Sequence, residues 1–165
     1  MSRSIILNDQ QITDKIRRIA YQIYESNTKE KEVILAGIKN NGYILAEKIA
    51  TVLRSISPLE VTLCEIIMDK KKPREKISTS LVAEQYKNKS LVLVDDVLNS
   101  GTTLIYAARH FLDVPLKRFK TVVLVNRNHK KYPIKADFKG LSLSTSLQEH
   151  IHVEFKSKGS LAYLE

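Results

Sequence analysis

The sequence predicts an α/β fold, a doubly wound and mainly parallel sheet flanked by helices, and three observations carry that prediction. Four apolar runs have strand length: Val33–Ile38, Val61–Met68, Leu91–Val94 and Lys120–Val125. Helical periodicity fills the segments before the first run, between the first and second, and between the third and fourth. A polar loop containing glycine follows the first run, and another follows the third after Asp95-Asp96-Val97-Leu98. Parallel strands need crossover connections, which the helices supply, and ligands of such sheets bind outside the carboxyl ends of the strands. Both loops lie at such ends.

Taken in order, Ile5–Leu7 is a short apolar start. Asn8 followed three residues later by Gln11 has the form of a capping box, so a helix begins there. Ile12, Ile16, Ile19, Ala20 and Ile23 carry its apolar face to about Ser26. Lys15, Arg17 and Arg18 lie on or near the exposed side, where RNA can lie. After the first strand come Lys39, Asn40, Asn41 and Gly42, then a helix with Leu45, Ile49, Val52, Leu53 and Ile56 inward, ended by Ser57-Pro58. Asp69–Lys76 is the most charged stretch and has a proline but no periodicity, so residues 69–80 form a flexible loop. Val82–Lys89 is polar and leads into the central strand. Leu104, Ala107, Ala108, Phe111 and Leu112 then give a helix from Thr102 or Thr103. Beyond Asn126 helical periodicity disappears. His150 and His152 alternate with Ile151 and Val153 as on an exposed strand face, and two histidines with no third ligand make no metal site.

The whole chain of 165 residues reads as a single domain. Lys and Arg number 27 against 18 Asp and Glu, a formal net charge of +9 that favours polyanionic partners, although surface lysines also serve solubility. No apolar run approaches membrane-spanning length, and Met1–Gln10 lacks the basic start and apolar stretch of a secretory signal, so a cytoplasmic protein without a membrane partner is expected. The single cysteine, Cys64, cannot form an internal disulfide and lies in an apolar run, as a core residue does.

The chemistry is concentrated in Leu91–Ala108, LVLVDDVLNSGTTLIYAA. A buried strand ends at two carboxylates, Asp95 and Asp96, and the polar run Asn99-Ser100-Gly101-Thr102-Thr103 opens a helix. First-turn amides of a helix have no helical partners, and glycine lets the backbone come close to a ligand, so this loop suits a phosphate. The carboxylates can accept hydrogen bonds from sugar hydroxyls or hold hydrated Mg²⁺ through its waters. Phosphate on one side and hydroxyls or metal on the other describe a sugar phosphate. A strand-end pair and a helix cap would also arise in any parallel α/β protein. A nucleotide-binding P-loop fits less well, because Tyr43-Ile44 stands where Lys and Ser or Thr are required.

The run resembles the signature of the type I phosphoribosyltransferases, a hydrophobic strand, two acidic residues and a T-G-x-T loop, with Ser100 for the usual threonine. The resemblance implies phosphoribosyl pyrophosphate as substrate and Mg²⁺ as cofactor. It makes Asn99, Ser100, Gly101, Thr102 and Thr103 the cradle of the 5-phosphate, and puts Asp95 and Asp96 on the ribose hydroxyls as the catalytic and indirect metal-binding pair. It also gives Lys39, Asn40, Asn41 and Gly42 the pyrophosphate. Loop 69–80 would be a basic lid, with Lys71 or Arg74 as its charge.

The tail is similar to that of the PyrR subfamily, pyrimidine-operon attenuators that also act as uracil phosphoribosyltransferases. Arg127, His129, Pro133, Ile134, Ala136, Asp137 and Gly140 stand at matching positions. Residues 126–165 would then form a small C-terminal hood over the base, with Arg127 above base and pyrophosphate as a further catalytic residue or else on the surface of a basic segment. Implied partners are a nucleobase, uracil first, UMP or UTP, RNA, and a second copy of the chain in a homodimer or higher oligomer. Asn41 replaces an arginine frequent in relatives, Asn126 an aspartate, and the lid lacks the subfamily's Tyr-Arg-Asp-Asp. An RNA-binding regulator, or a phosphoribosyl-binding protein with little catalysis, is the alternative.

Overall fold

Asn8 Oδ1 accepts from the Gln11 amide at 2.8 Å and Gln11 Oε1 from the Asn8 amide at 2.9 Å, so the predicted capping box opens the first helix. The structure is a computed structural model describing residues 2–146 and 148–165. Its elements are β1 (Ser4–Leu7), α1 (Asp9–Ser26), β2 (Glu32–Ile38), α2 (Asn41–Ile56), β3 (Glu60–Ile67), β4 (Ser78–Thr79), α3 (Ala83–Tyr86), β5 (Ser90–Leu98), α4 (Thr102–Phe111), β6 (Arg118–Arg127), β7 (Phe138–Leu143), β8 (Ile151–Lys156) and β9 (Gly159–Leu164).

The main sheet has the order β4-β3-β2-β5-β6-β7, parallel throughout except for antiparallel β4 at its edge. From β2 the chain moves outward to β3, then returns to the other side of β2 as β5. The loops after β2 and β5 therefore flank the point where strand order reverses, the place for a ligand in such sheets.

Alternation along the strands divides the core. Val33, Leu35, Val92 and Val94 face α1 and α2, whereas Ile34, Ala36, Ile38, Leu91 and Leu93 pack against α3 and α4. Phe111 of α4 is fully buried in the second layer, edge to face with Tyr86 at 5.0 Å, and an aromatic so placed is worth about 3–5 kcal/mol. Cys64 belongs to the same layer, and burial pushes its thiol pKa up, consistent with a packing role.

Several expectations are corrected by contacts between distant segments. β5 runs through Asp95 and Asp96 to Leu98, because pairing with β6 continues from Asp95 opposite Val123 to Leu98 opposite Asn126. Ile5–Leu7 is a strand of a second, antiparallel sheet, β1-β9-β8. The first strand of the tail, β7, pairs with β6 and extends the main sheet. Loop 69–80 ends in β4, whose Ser78 and Thr79 pair with Ile67 and Ile66, and the polar stretch before β5 contains α3. Arg18 Nη2 donates to the carbonyls of Lys139 at 3.0 Å and Gly140 at 2.9 Å, pinning α1 to β7.

Candidate functional site

A cavity of about 210 Å³ opens at the carboxyl end of β5. It is lined by Asp95 and Asp96, by Asn99, Ser100, Gly101 and Thr103, by Lys70 of loop 69–80 and by Ile151 of β8. Asp95 is 1% exposed. Its Oδ1 accepts from the Asp96 amide at 2.9 Å, and Lys70 Nζ stands 3.4 Å from both carboxylate oxygens. Burial first, then the Asp96 charge, push the Asp95 pKa up to about 7, with Lys70 pulling it down. Asp96 is half-buried: Oδ1 accepts from the Val97 amide at 2.9 Å, and Oδ2 from Asn41 Nδ2 at 3.1 Å.

The anion end is built by a turn that only glycine adopts without strain. Gly101 has φ +86°, and a Cβ there would lie 2.7 Å from Ile134 Cγ2, so backbone conformation and the tail both require its absence. α4 starts at Thr102, and its first-turn amides, which have no helical partners, lie beside the carboxylates; that of Thr102 donates to Ser100 Oγ at 3.3 Å. Ser100 Oγ and Thr102 Oγ1 are 2.8 Å apart. The Ser100 carbonyl accepts from the amides of Lys131 at 2.8 Å and Tyr132 at 3.0 Å, which ties this loop to the tail. Thr102 thus joins the site through Ser100.

The loop after β2 borders the site without lining this cavity. The Lys39 amide donates to the Ile66 carbonyl at 2.8 Å, and the side chains of Lys39 and Asn40 are exposed. Asn40 has φ +73° and ψ −122°, a conformation that L residues seldom adopt. Gly42 lets α2 approach β5: a Cβ would lie 2.9 Å from the Val94 carbonyl oxygen and 3.1 Å from Asp95 Oδ1. Asn41 turns inward, donating to Val153 O at 2.7 Å as well as to Asp96.

Arg127 is buried at the end of β6, but it does not line the cavity with the aspartates. Its Nε donates to Thr145 Oγ1 at 2.5 Å and its Nη2 to the Ser146 carbonyl at 2.6 Å, while His129 Nε2 donates to the Thr145 carbonyl. These side chains hold the segment before β8. Asn126 Nδ2 donates to Ser142 Oγ at 3.2 Å, and its buried Oδ1 has no donor among the described residues. Of the cations in loop 69–80, Lys71 is exposed and Arg74 faces a separate hollow beside Tyr106 and Arg109, while Lys70 lines the cavity with the aspartates. Charge alone could not distinguish three successive lysines. Ile151 was also missed, because its place depends on how β8 folds back over the sheet.

Two adjacent carboxylates fit a hydrated magnesium ion that keeps part of its water shell. They do not fit an ion caged by protein, since the described residues contain no cluster of three His, Cys, Asp or Glu side chains.

Residues 2–158 match the phosphoribosyl transferase domain family. The bifunctional protein PyrR of Streptococcus agalactiae serotype Ia is 33% identical over 159 residues, covering 93% of this chain and 91% of that protein. The bifunctional protein PyrR of Macrococcus caseolyticus is 32% identical over 160 residues, covering 93% and 92%. Among solved structures, the hypoxanthine phosphoribosyltransferase of Trypanosoma cruzi superposes with a TM-score of 0.77 at 14% identity, over 96% of this chain and 95% of that one. A hypoxanthine-guanine phosphoribosyltransferase of Bacillus anthracis gives 0.71 at 19% identity, over 85% and 82%. The chain belongs to the phosphoribosyl transferase family, among the PyrR proteins.

Proposed function

We propose that this protein transfers the phosphoribosyl group of phosphoribosyl pyrophosphate to a nucleobase, uracil being the first choice, and releases pyrophosphate. The observation that carries this is the convergence of Asp95, Asp96 and the Ser100–Thr103 turn on one cavity. The first-turn amides and hydroxyls of α4 would hold the 5-phosphate, and the aspartates would accept hydrogen bonds from the ribose hydroxyls. The backbone of Lys39–Gly42 would face the diphosphate. A base nitrogen attacks C1 as the bond from C1 to diphosphate oxygen breaks, and the proton of that nitrogen leaves to solvent. Mg²⁺ bound with the diphosphate would neutralise charge growing on the leaving group. Holding the reactants in line is the enzyme's main contribution, and no covalent intermediate with the protein is needed. Arg127 would act by positioning the segment before β8.

The test is pyrophosphate release from phosphoribosyl pyrophosphate and Mg²⁺ with uracil, hypoxanthine, guanine, xanthine, adenine and orotate. Turnover with uracil that disappears in the Asp95→Asn, Asp96→Asn protein is expected. Silence with every base would reject the enzymatic role.

A regulatory role is supported by the net charge of +9 and by relatives named as bifunctional. In that role the site senses UMP or UTP while a basic face binds RNA, in a cytoplasmic homodimer or higher oligomer. RNA affinity should then fall steeply with salt; a flat response excludes a phosphate-dominated contact.

A further inference from the structure

Asp95 and its lid partner are unequally placed. The Asp95 side chain is 2% exposed and fixed within β5, whereas the Lys70 side chain is 49% exposed. Lys70 Nζ reaches both carboxylate oxygens at 3.4 Å and is the only cationic side chain in contact with them among the described residues. A local turn presents it: Asp69 Oδ1 accepts from the Lys71 amide at 2.9 Å, and the Lys72 amide donates to the Asp69 carbonyl at 3.0 Å. The ammonium therefore occupies the space beside Asp95 in the cavity that the carboxylates share with the phosphate turn. Asp96 is tied as well, through Asn41.

We propose that Lys70 and a divalent cation exclude one another at Asp95, so that the cation enters only on a diphosphate whose oxygens give the displaced ammonium new partners. This rests on the placement of phosphoribosyl pyrophosphate in the cavity. A buried carboxylate needs a positive partner, and two cations cannot share its oxygens without strong repulsion in a site screened from water. The half-exposed lysine can move, while the aspartate cannot. A free metal ion must evict the lysine without compensation. A metal carried by a diphosphate brings negative oxygens to which the lysine transfers. Lys70 is thereby a device for admitting metal and diphosphate together.

The test is binding of Mn²⁺ alone to the full chain, followed by electron paramagnetic resonance, in the unaltered protein, Lys70→Gln, Lys70→Arg and Lys70→Gln with Asp95→Asn. Lys70→Gln should bind Mn²⁺ on the order of tenfold more tightly than the unaltered protein, Lys70→Arg should not, and the gain should vanish when Asp95 is also replaced. Circular dichroism checks that each variant is folded. Calorimetry should show Lys70→Gln binding phosphoribosyl pyrophosphate with Mg²⁺ less tightly. A gain in Mn²⁺ affinity below about threefold, or one that survives the loss of Asp95, overturns the proposal. If the unaltered protein fails to bind phosphoribosyl pyrophosphate, the proposed function fails instead, and the Mn²⁺ comparison, which needs no diphosphate, still judges the lysine.

Discussion

The amide of Asn41 bridges Asp96 and the backbone of β8: Nδ2 is 3.1 Å from Asp96 Oδ2 and 2.7 Å from the Val153 carbonyl oxygen. One side chain at the start of α2 thus joins the loop after β2, the carboxylate pair and the second sheet. An arginine here would add charge toward a diphosphate; the shorter asparagine instead orients the aspartate and anchors the strand. Asn41→Ala removes both bonds and leaves the carbonyl of buried Val153 without this donor, which should cost about 1–3 kcal/mol in urea unfolding. Amide exchange in β8 should accelerate with it. Unchanged β8 protection would show that the bridge does not hold the second sheet.

Asp95 should make stability depend on pH. Its pKa rises from 3.8 to about 7 on folding, chiefly by burial and then by the Asp96 charge. Between those values the folded protein keeps a proton that the unfolded chain has lost, so stability falls as pH increases. Relative to Asp95→Asn, the stabilising contribution is complete below pH 3.8 and is lost as pH rises through about 7. Urea unfolding at pH 5 and pH 8 should show the unaltered protein losing on the order of a few kcal/mol more than Asp95→Asn. Parallel losses in both would mean that another group governs the slope.

Asn40 stores strain beside the carboxylates. Its φ of +73° with ψ −122° is one that glycine adopts freely and other residues adopt at a cost of about 1–3 kcal/mol. Asn40→Gly should therefore raise the melting temperature by about 2–4 °C for each kcal/mol relieved. Asn40→Val, branched at Cβ, should lower it. A glycine variant that melts below the unaltered protein would show that Asn40 has side-chain contacts worth more than the strain.

What was legible in the sequence is what neighbours in the chain decide. The Asn8–Gln11 capping box, the apolar face of α1, the start of α4 at Thr102 and the turn at Gly101 all depend on residues within a few positions of one another. The carboxylates and the Ser100–Thr103 turn share that locality, so their nearness to one another could be read directly. Lys70, Ile151 and the Asn41 bridge could not, because each meets its partner at a sequence separation of 25 to 112 or through a fold-back of the tail. β1 was hidden for the same reason: Ile5 pairs with Tyr163 at the opposite end of the chain. The extension of β5 through Asp95 reflects its neighbour β6, whose register overrides the usual preference of aspartate for loops.

The Ala-Asp pair of the tail is structural. Asp137 Oδ2 accepts from the Thr121 amide at 2.9 Å, and Thr121 Oγ1 accepts from the Asp137 amide at 3.0 Å while donating to the Lys135 carbonyl at 2.6 Å. This reciprocal clasp joins the segment leading into β7 to the inner part of β6, away from the strand end that carries Arg127. Asp137→Ala leaves the Thr121 amide, on a buried residue, without its acceptor, so urea unfolding should show a loss of about 1–3 kcal/mol. Thr121→Val should lose a similar amount, and the double variant less than the sum, because the two side chains serve one network. Calorimetry of the folded Asp137→Ala protein should give an affinity for phosphoribosyl pyrophosphate close to that of the unaltered protein. A large loss of affinity with unchanged stability would instead assign Asp137 to the ligand.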